Sequence, residues 1–576
     1  MHITKLVAVA AALIGTAPIG ICAQSTGAKS TTKTVIARTD VRELPADQQI
    51  VHALNRLTFG PKPGDAARVR SIGLDRWIDQ QLHPERIDDS AMEAFVGKYP
   101  TINQDQDELL VKYAEEQRQR RMAKRDDAVT TRSLTARDSA AMRRDRRQRF
   151  NSRRQVITEL QSSRVARAVA SERQLEEVMT DFWENHFNIY AQKGAPEPYY
   201  LADFDRNVIR PNALDNFRDL LESVAKSPAM LFYLDNARSM ADSTRPTLAG
   251  AGAARRPRLR GMPQPRNIPQ PQNIPQRKRA GLNENYGREL LELHTLGVDG
   301  GYTQQDVINV ARAFTGWTIK PPQQGGGFIF RPQVHDAGEK IVLGHNLAAG
   351  RGMEDAEDVL DILARSPATA RFISFKLARR FVSDSPSKTL VDHAAQVYLK
   401  TDGDIREVLR SIITSPEFFS GQALRGKVKS PFEVVVSAAR ALDARPDSTP
   451  RTAQVIAYLG QPIFGHQAPN GWPETGESWM NTGAILNRIN FGMAAASGRF
   501  PGMNITGLPA LDTVRNASRE RQVDAVVATI LNGMVSPDTR AVLVSGEHPL
   551  LDKVPQPTGL QQIVGLALGS PEFQRH

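Results

Sequence analysis

Cysteine is nearly absent from this 576-residue sequence, which contains only Cys22. If Cys22 is removed with the N-terminal segment described next, the remaining chain can form no disulfide, no catalytic thiolate and no thiolate metal site. Histidine and carboxylate side chains are then the only strong metal ligands. The sequence also lacks a phosphate-binding loop, a nucleophile elbow and a His-Glu-x-x-His zinc helix, which disfavours nucleotide enzymes, serine hydrolases and common zinc proteases.

The apolar run at residues 6–21 is short for a membrane span. Lys5 precedes the run, and Ile21-Cys22-Ala23 is an acceptable cleavage site, so the pattern predicts a signal peptide at residues 1–23. An uncleaved anchor is the alternative, and a lipoprotein is disfavoured because Ile21 stands where a small residue is expected. The sequence therefore predicts export to the periplasm or the extracellular space, with no membrane span after cleavage.

Two insertions and a leader carry much of the basic charge, which gives a formal excess of +11. Residues 24–49 are rich in Ser, Thr, Ala and Lys and predict a flexible leader. The Arg-rich insertion at 118–154 is typical of a solvated helical or partly disordered segment, and binding to an acidic envelope polymer is the alternative. Nucleic acid is a disfavoured partner because this insertion lacks a pattern of interleaved aromatic residues. The Pro-, Arg- and Gln-rich insertion at 245–279 favours polyproline II or disorder.

Helical periodicity predicts a mainly all-α fold, a multi-helical array or bundle over residues 50–500 that continues in a C-terminal helical segment at 501–576. A small β-hairpin near 328–343 is the one clear β signal. A Ser-Pro pair predicts a helix start, because Ser accepts hydrogen bonds from the first turn and Pro needs no donor there. The six pairs that precede a predicted helical run begin at Ser227, Ser366, Ser415, Ser430, Ser536 and Ser570.

The stretch at 281–303 combines a long helical pattern with many ionisable residues. At about 100° per residue, Glu289 falls in the middle of an apolar stripe. That stripe contains Leu282, Tyr286, Leu293 and Leu296. A carboxylate on a core-facing stripe needs a cation, a metal or a proton, because an unpaired buried charge is costly. Arg379, on the helix predicted to start at Pro367, is a candidate counter-ion for Glu289.

The sequence NENYGRELLELHTLGVDGGYTQQDV, followed by ARAFTGW, resembles the signature of family 1800 of the domains of unknown function (DUF1800), a group of exported bacterial proteins. The resemblance covers the chain from about Val51 onward. It extends to LNRLTFGPKPGD, FWENHF, HDAGEKIVLG, KLARRFV, TDGDIREVLRSIITSPEF and PNGWPETGESW. The resemblance implies no established activity. Genes of this family often lie beside those of family 1501, which resembles the phosphatase and sulfatase fold, and this implies a family 1501 protein as partner.

Ionisable residues on several predicted helices form a candidate polar core site. This site comprises His186, Glu289, Glu292, Arg288 and Arg379. A divalent transition metal is a candidate cofactor, because imidazoles and carboxylates that project into a helical bundle can bind iron or manganese. The candidate ligands are His186, Glu289, Glu292, His294, His335 and Asp336. The alternative is structural: a core histidine, a buried Glu289–Arg379 pair, and ordinary turn chemistry at 335–336. Glu184 is not expected to act with His186, since helical residues two apart do not share a face.

Trp472 lies on a loop held by proline and glycine, where its ring can stack on a carbohydrate or aromatic ligand or can plug the end of the core.

Two functions remain open. The first is an exported helical envelope protein without chemistry of its own, which acts with a family 1501 neighbour in assembling or handling an extracellular polymer. The second is a metal-dependent enzyme with a His/carboxylate site in the helical core. The sequence favours the first, because ion pairing explains Glu289 without a metal.

Overall fold

The computed structural model describes residues 42–130, 152–248, 281–548 and 557–576, which lie within one compact unit. The predicted signal peptide at 1–23 and the leader up to residue 41 lie outside the described residues. So does the greater part of both insertions, although the described ends of the Arg-rich insertion, 118–130 and 152–154, are helical. The first helix begins at Ala46, inside the predicted leader.

Helices form most of the regular secondary structure in the described residues, which confirms the predicted mainly all-α class. The helices before residue 320 are Ala46–Leu57, Asp65–Ile72, Leu74–Leu82, Ser90–Val96, Gln106–Thr130, Ser152–Ala170, Gln174–His186, Glu197–Asp203, Phe217–Lys226, Pro228–Tyr233, Glu284–Glu289 and Gln304–Ala313. Two of these runs continue as π-helices, which span Phe204–Ile209 and Leu290–Thr295. No helix within the described ranges is both long and apolar enough to cross a membrane.

The later helices include the predicted C-terminal helical segment. They are Glu354–Ala364, Pro367–Phe381, Lys388–Lys400, Ile405–Ile413, Pro431–Ala441, Arg451–Tyr458, Thr482–Ala496, Pro509–Asp512, Arg519–Ile530, Pro537–Ser545, Gly559–Gly569 and Pro571–Gln574. Five of the six Ser-Pro pairs begin helices, and in each case the Ser side chain accepts a backbone N–H of the first turn. The sixth, at Ser415, lies in a turn. The predicted helix start is therefore confirmed at five sites and wrong at Ser415, where the side chain still accepts from the Phe418 N–H.

The predicted hairpin near 328–343 is divided between two antiparallel ribbons. Strand β1 (Trp317–Ile319) pairs with β2 (Phe328–Phe330), and β3 (Lys340–Val342) pairs with β4 (His345–Leu347). Each strand therefore pairs with its nearer neighbour in sequence. His335 and Asp336 lie on the connection between the two ribbons.

The central helix changes its winding in the middle, which alters the side chains that face the core. Glu284–Glu289 is α-helical, whereas Leu290–Thr295 is a π-helix with a wider turn. A projection at about 100° per residue fails beyond Glu289 for this reason. Leu290, Leu291 and His294 are buried, while Glu289 and Leu293 are only half-buried. The predicted placement of Glu289 in the middle of a core stripe is wrong.

The N-terminal helix is tied to segments that lie far along the chain. Arg56 donates to the carbonyl oxygens of Val382 and Ala423, at 3.2 and 2.7 Å. From the other side, Arg440 donates to the carbonyl oxygen of Gly60 at 2.5 Å. The side chains of Arg56 and Arg440 are buried, and their guanidinium groups bind backbone oxygens. They therefore link parts of the fold that are distant in sequence.

Candidate functional site

His186 is a buried core histidine whose two ring nitrogens are both engaged. Lys376 lies 2.9 Å from Nδ1, and the carbonyl oxygen of His294 lies 3.1 Å from Nε2. Because an ammonium can only donate, Nδ1 accepts and Nε2 donates. Burial, with Lys376 next in importance, holds the pKa of His186 well below its ordinary value. The surroundings of His186 are therefore those of a hydrogen-bonded core histidine, the structural alternative named above.

The carboxylates of the central helix do not meet Arg379. Glu289 is half-buried, and burial together with Glu292 raises its pKa. Glu292 accepts from the Tyr302 hydroxyl at 3.1 Å, and Arg288 donates to the Gln304 amide oxygen at 2.8 Å. Arg379 instead donates to the Asp384 carbonyl oxygen and lies over the Phe375 ring. The predicted Glu289–Arg379 pair is not formed, since Arg379 is directed to Asp384 and Phe375.

His335 and Asp336 belong to a separate buried network. The two Asp336 oxygens accept from Arg312 at 2.8 and 3.2 Å. His335 Nδ1 lies 2.8 Å from the Thr315 carbonyl oxygen, and Nε2 lies 3.3 Å from Asp355. Lys340 donates to the same Asp355 oxygen at 2.5 Å. Neither ring nitrogen of His335 faces His186 or the central helix.

The six candidate metal ligands are thus distributed over separate surroundings. His186 and His294 adjoin each other, with ring centroids 6.3 Å apart. However, the Nδ1 of His186 already accepts a hydrogen bond from Lys376. Among the residues that the structure describes, no three His, Cys, Asp or Glu side chains are arranged to hold a metal ion. The convergence of the six predicted ligands on one cation is therefore not found in these ranges.

A polar cleft instead brings together two of the motifs on which the family resemblance depends. Its walls come from residues 181–188, 427–433 and 461–479, with Arg380 from a fourth segment. Trp472 and Trp479 lie on one wall, with ring centroids 6.0 Å apart. We call this site the Trp cleft. It offers about 70 Å³ to the centre of a water molecule.

An ion pair forms part of the lining of the Trp cleft. Arg380 contacts Glu433 at 2.8 Å and Asp181 at 3.5 Å. Glu433 is buried, and the positive charge of Arg380 lowers its pKa to about 2 against the effect of burial. Burial raises the pKa of Asp181, which Arg380 only partly offsets. One guanidinium thus holds two carboxylates of the cleft.

Glu184 also lines the Trp cleft, and its carboxyl group is incompletely bonded. It is 9% exposed, and its Oε1 has no hydrogen-bond partner. Arg164 Nε approaches Oε2 to 2.8 Å but in a direction that forms no hydrogen bond. Burial and the neighbouring Asp205 raise the pKa of Glu184, whereas Arg210 helps to lower the pKa of Asp205 to about 2. Glu184 therefore holds the proton of this pair.

Asn185 fixes the tryptophan wall of the cleft. Its amide oxygen accepts from the Trp472 backbone at 2.7 Å, and its amide nitrogen donates to the Trp472 carbonyl oxygen at 2.9 Å. Gly471 precedes Trp472 with a φ of +72°, where an added Cβ would overlap the Asn185 carbonyl oxygen and come within 2.7 Å of its Oδ1. Only glycine fits this seat, because both the conformation and the space exclude a side chain.

The sequence interpretation singled out Trp472 but missed Glu184, Asp181 and Arg380. Asn185 and Trp472 are 287 residues apart, so their direct bonds could not be predicted from one sequence. The available signal was that FWENHF and PNGWPETGESW both carried the family resemblance. Glu184 and His186 contact different neighbours, Arg164 and Lys376 respectively.

Comparison with known proteins agrees with the resemblance in the motifs. Residues 52–575 match the model of the family described as protein of unknown function DUF1800. No curated protein and no solved structure matched the chain. Because the matched range spans most of the 576 residues, the chain belongs to the DUF1800 family.

Proposed function

We propose that this chain is an exported envelope protein that binds a carbohydrate segment of an extracellular polymer in the Trp cleft, without chemistry of its own. The observation that carries the proposal is the pair of half-buried indole rings beside buried carboxyl groups. A sugar ring has an apolar C–H face and a hydroxyl edge, which suit an indole face and a polar wall respectively. Polar side chains in the lining of the cleft, among them Gln461 and Glu474, supply hydrogen-bonding groups on that wall.

Export and a partner complete this proposal. The support for export is the signal pattern at residues 1–23, and the support for a family 1501 partner is the family resemblance. The basic insertions at 118–154 and 245–279 are proposed to hold an acidic envelope polymer through charge. Co-purification with the family 1501 neighbour over a range of salt concentrations tests the partner, and no association at any salt concentration would remove it from the proposal.

Tryptophan fluorescence can test the cleft directly, because the other three tryptophans are buried: Trp77 at 3% exposure and Trp183 and Trp317 at 0%. Neutral, acidic and amino-sugar oligosaccharides would each be titrated into the full-length protein. We expect at least one class to change the emission saturably. Trp472→Ala is expected to weaken that binding about tenfold or more, the usual effect of removing a stacking tryptophan.

Matched variants separate loss of the site from general damage. Gly471→Ala should also abolish binding, because it displaces the loop from Asn185. Gly533→Ala is its control, since Gly533 has a similar φ of +76° but nothing within 4 Å of an added Cβ. Tyr458→Ala removes an exposed aromatic ring outside the cleft and should bind normally. Binding that survives both Trp472→Ala and Gly471→Ala would refute the assignment of the site.

The same titrations distinguish binding from catalysis. If the bound oligosaccharide is recovered unchanged, the proposal of a binding protein stands. A shortened product that is absent with Glu184→Gln would replace it by acid catalysis, with Glu184 as the proton donor.

A further inference from the structure

A second pocket, unrelated to the Trp cleft, has an excess of positive charge. It lies where the turn at residues 60–62 meets the Pro431–Ala441 helix and the Pro571–Gln574 helix. Three cationic side chains line it, those of Lys62, Arg425 and Lys429, against the single carboxylate of Glu572. We call it the basic pocket. It offers about 30 Å³ to the centre of a water molecule.

Lys429 is the most deeply placed of these cations and has no anionic partner. It is 3% exposed, its Nζ donates to the Ser437 hydroxyl at 3.2 Å, and it lies 4.2 Å from the centre of the Phe573 ring. Within the described part of the chain, Lys429 makes no salt bridge. A buried ammonium without a counter-ion is costly. Burial accordingly lowers the pKa of Lys429 to about 7, although Glu433 at longer range partly opposes this.

The neighbouring carboxylates are committed elsewhere. Glu572 accepts from the Ser536 backbone and the Thr539 hydroxyl, each at 2.9 Å. Glu433 is held by Arg380 on the side of the Trp cleft. The fold therefore supplies Lys429 with no carboxylate of its own.

The other two cations increase the positive charge. Arg425 donates to the carbonyl oxygens of Leu531 and Met534, which orient its guanidinium without neutralising it. Its backbone has a φ of +55°, an uncommon conformation for a residue with a side chain. Lys62 is half-buried, and neither it nor Arg425 forms a salt bridge among the described residues.

We propose that the basic pocket binds an oxyanion group, phosphate or sulfate, that the ammonium groups of Lys429 and Lys62 hold and that the Arg425 charge attracts. Lysine ammonium groups bind phosphate oxygens through charge-assisted hydrogen bonds. The anion supplies the counter-charge that the fold does not give to Lys429. This site is independent of the Trp cleft, so failure of either proposal leaves the other standing.

Titration calorimetry on the full-length protein with inorganic phosphate and sulfate tests the site, with sodium chloride at equal ionic strength as the baseline. We expect saturable binding of at least one of the two anions. In Lys429→Met the affinity should fall about tenfold or more, since a charge-assisted hydrogen bond is lost. The same variant should be no less stable than wild type without the anion, because an uncompensated buried charge is removed. A purely structural role of Lys429 predicts the opposite change in stability.

Two further variants complete the test. Lys62→Met, at a less buried position, should also weaken binding and serves if Lys429→Met folds poorly. Lys388→Met removes a lysine whose side chain is 79% exposed and should change neither affinity nor stability. Titration with tripolyphosphate beside orthophosphate distinguishes the two sources of the anion. Tighter binding of tripolyphosphate would indicate a group carried on a larger molecule, and tighter binding of orthophosphate a free ion. The proposal would be overturned if wild type showed no saturable binding. It would also be overturned if Lys429→Met and Lys62→Met both bound the anion as tightly as wild type.

Discussion

Replacing Arg380 by methionine is expected to lower the free energy of unfolding by about 3–5 kcal/mol, the usual cost of removing one partner of a buried pair. Arg380 is the common partner of Glu433 and Asp181, and both carboxylates lie in the Trp cleft. Without Arg380, Glu433 would be a buried charge with its nearest counter-charge removed. Urea unfolding of wild type and Arg380→Met at neutral pH measures the difference.

The exposed pair of Arg365 and Asp402 provides a matched control, with a 3.2 Å contact and side chains 61% and 66% exposed. Arg365→Met should change stability by well under about 1 kcal/mol, because solvent screens an exposed pair. Arg380→Met combined with Glu433→Gln should be less destabilised than the sum of the two single variants, since the charge left unpaired is then also removed. Strict additivity would show that Arg380 and Glu433 do not stabilise each other.

The same variant should change the response to acid. Glu433 has a folded pKa of about 2 against an ordinary value of 4.5, so its stabilising contribution is complete above about pH 4.5. That contribution is lost as the pH falls from about 4.5 towards 2, because the unfolded state then binds the proton first. With Arg380 removed the folded pKa rises, and stability should fall less steeply over that interval. Equal acid slopes in both proteins would contradict the assignment.

Asp355→Asn is the second substitution with a large expected effect, again about 3–5 kcal/mol. Lys340 and Asp355 are both fully buried, and one Asp355 oxygen contacts both Lys340 and His335. The amide keeps the shape but leaves the Lys340 ammonium with only the carbonyl oxygens of Asp336 and Gly338. The matched control is Asp402→Asn in the exposed pair, which should change little.

The pH dependence of Asp355→Asn has a definite sign. Burial already lowers the pKa of Lys340 below its ordinary value of 10.5, and Asp355 opposes this shift. In the variant the folded pKa should fall further. The unfolded state then binds more protons than the folded state between that lower pKa and about 10.5, so stability should rise with pH over this interval more than in wild type. Denaturation at several alkaline pH values measures it, and a flat difference would argue against charge as the cause.

Local patterns predicted the elements of this fold better than their contacts. Helical periodicity and the Ser-Pro pairs depend on neighbours within a turn, so the class and five helix starts followed from the sequence. The π-helix at Leu290–Thr295 has no such local signature, and it changes which residues after Glu289 face the core. The β signal near 328–343 likewise located strands but not their partners, since Phe328–Phe330 and Lys340–Val342 belong to different ribbons.

The candidate site was predicted less well, because it depends on tertiary contacts. The sequence interpretation paired Arg379 with Glu289, whereas the arginine of the Pro367–Phe381 helix that contacts a buried carboxylate is Arg380, and its partner is Glu433. Adjacent helical residues point about 100° apart, so an error of one residue changes the partner completely. Trp472 was recognised as a candidate, whereas Glu184 could be placed in the cleft only once Arg164 and Asp205 were in position.

The long-range hydrogen bonds of Arg56 and Arg440 also affect how fast the chain can fold. The bonds from Arg56 to Val382 and Ala423 close loops of 326 and 367 residues, and the bond from Arg440 to Gly60 closes one of 380. Contacts of such high sequence separation slow folding, because loop entropy is lost before the contacts form. These closures cannot occur until most of the polypeptide has been synthesised. For a chain proposed to be exported, late formation of these contacts favours an unfolded state, which a secretion channel requires, until translocation begins.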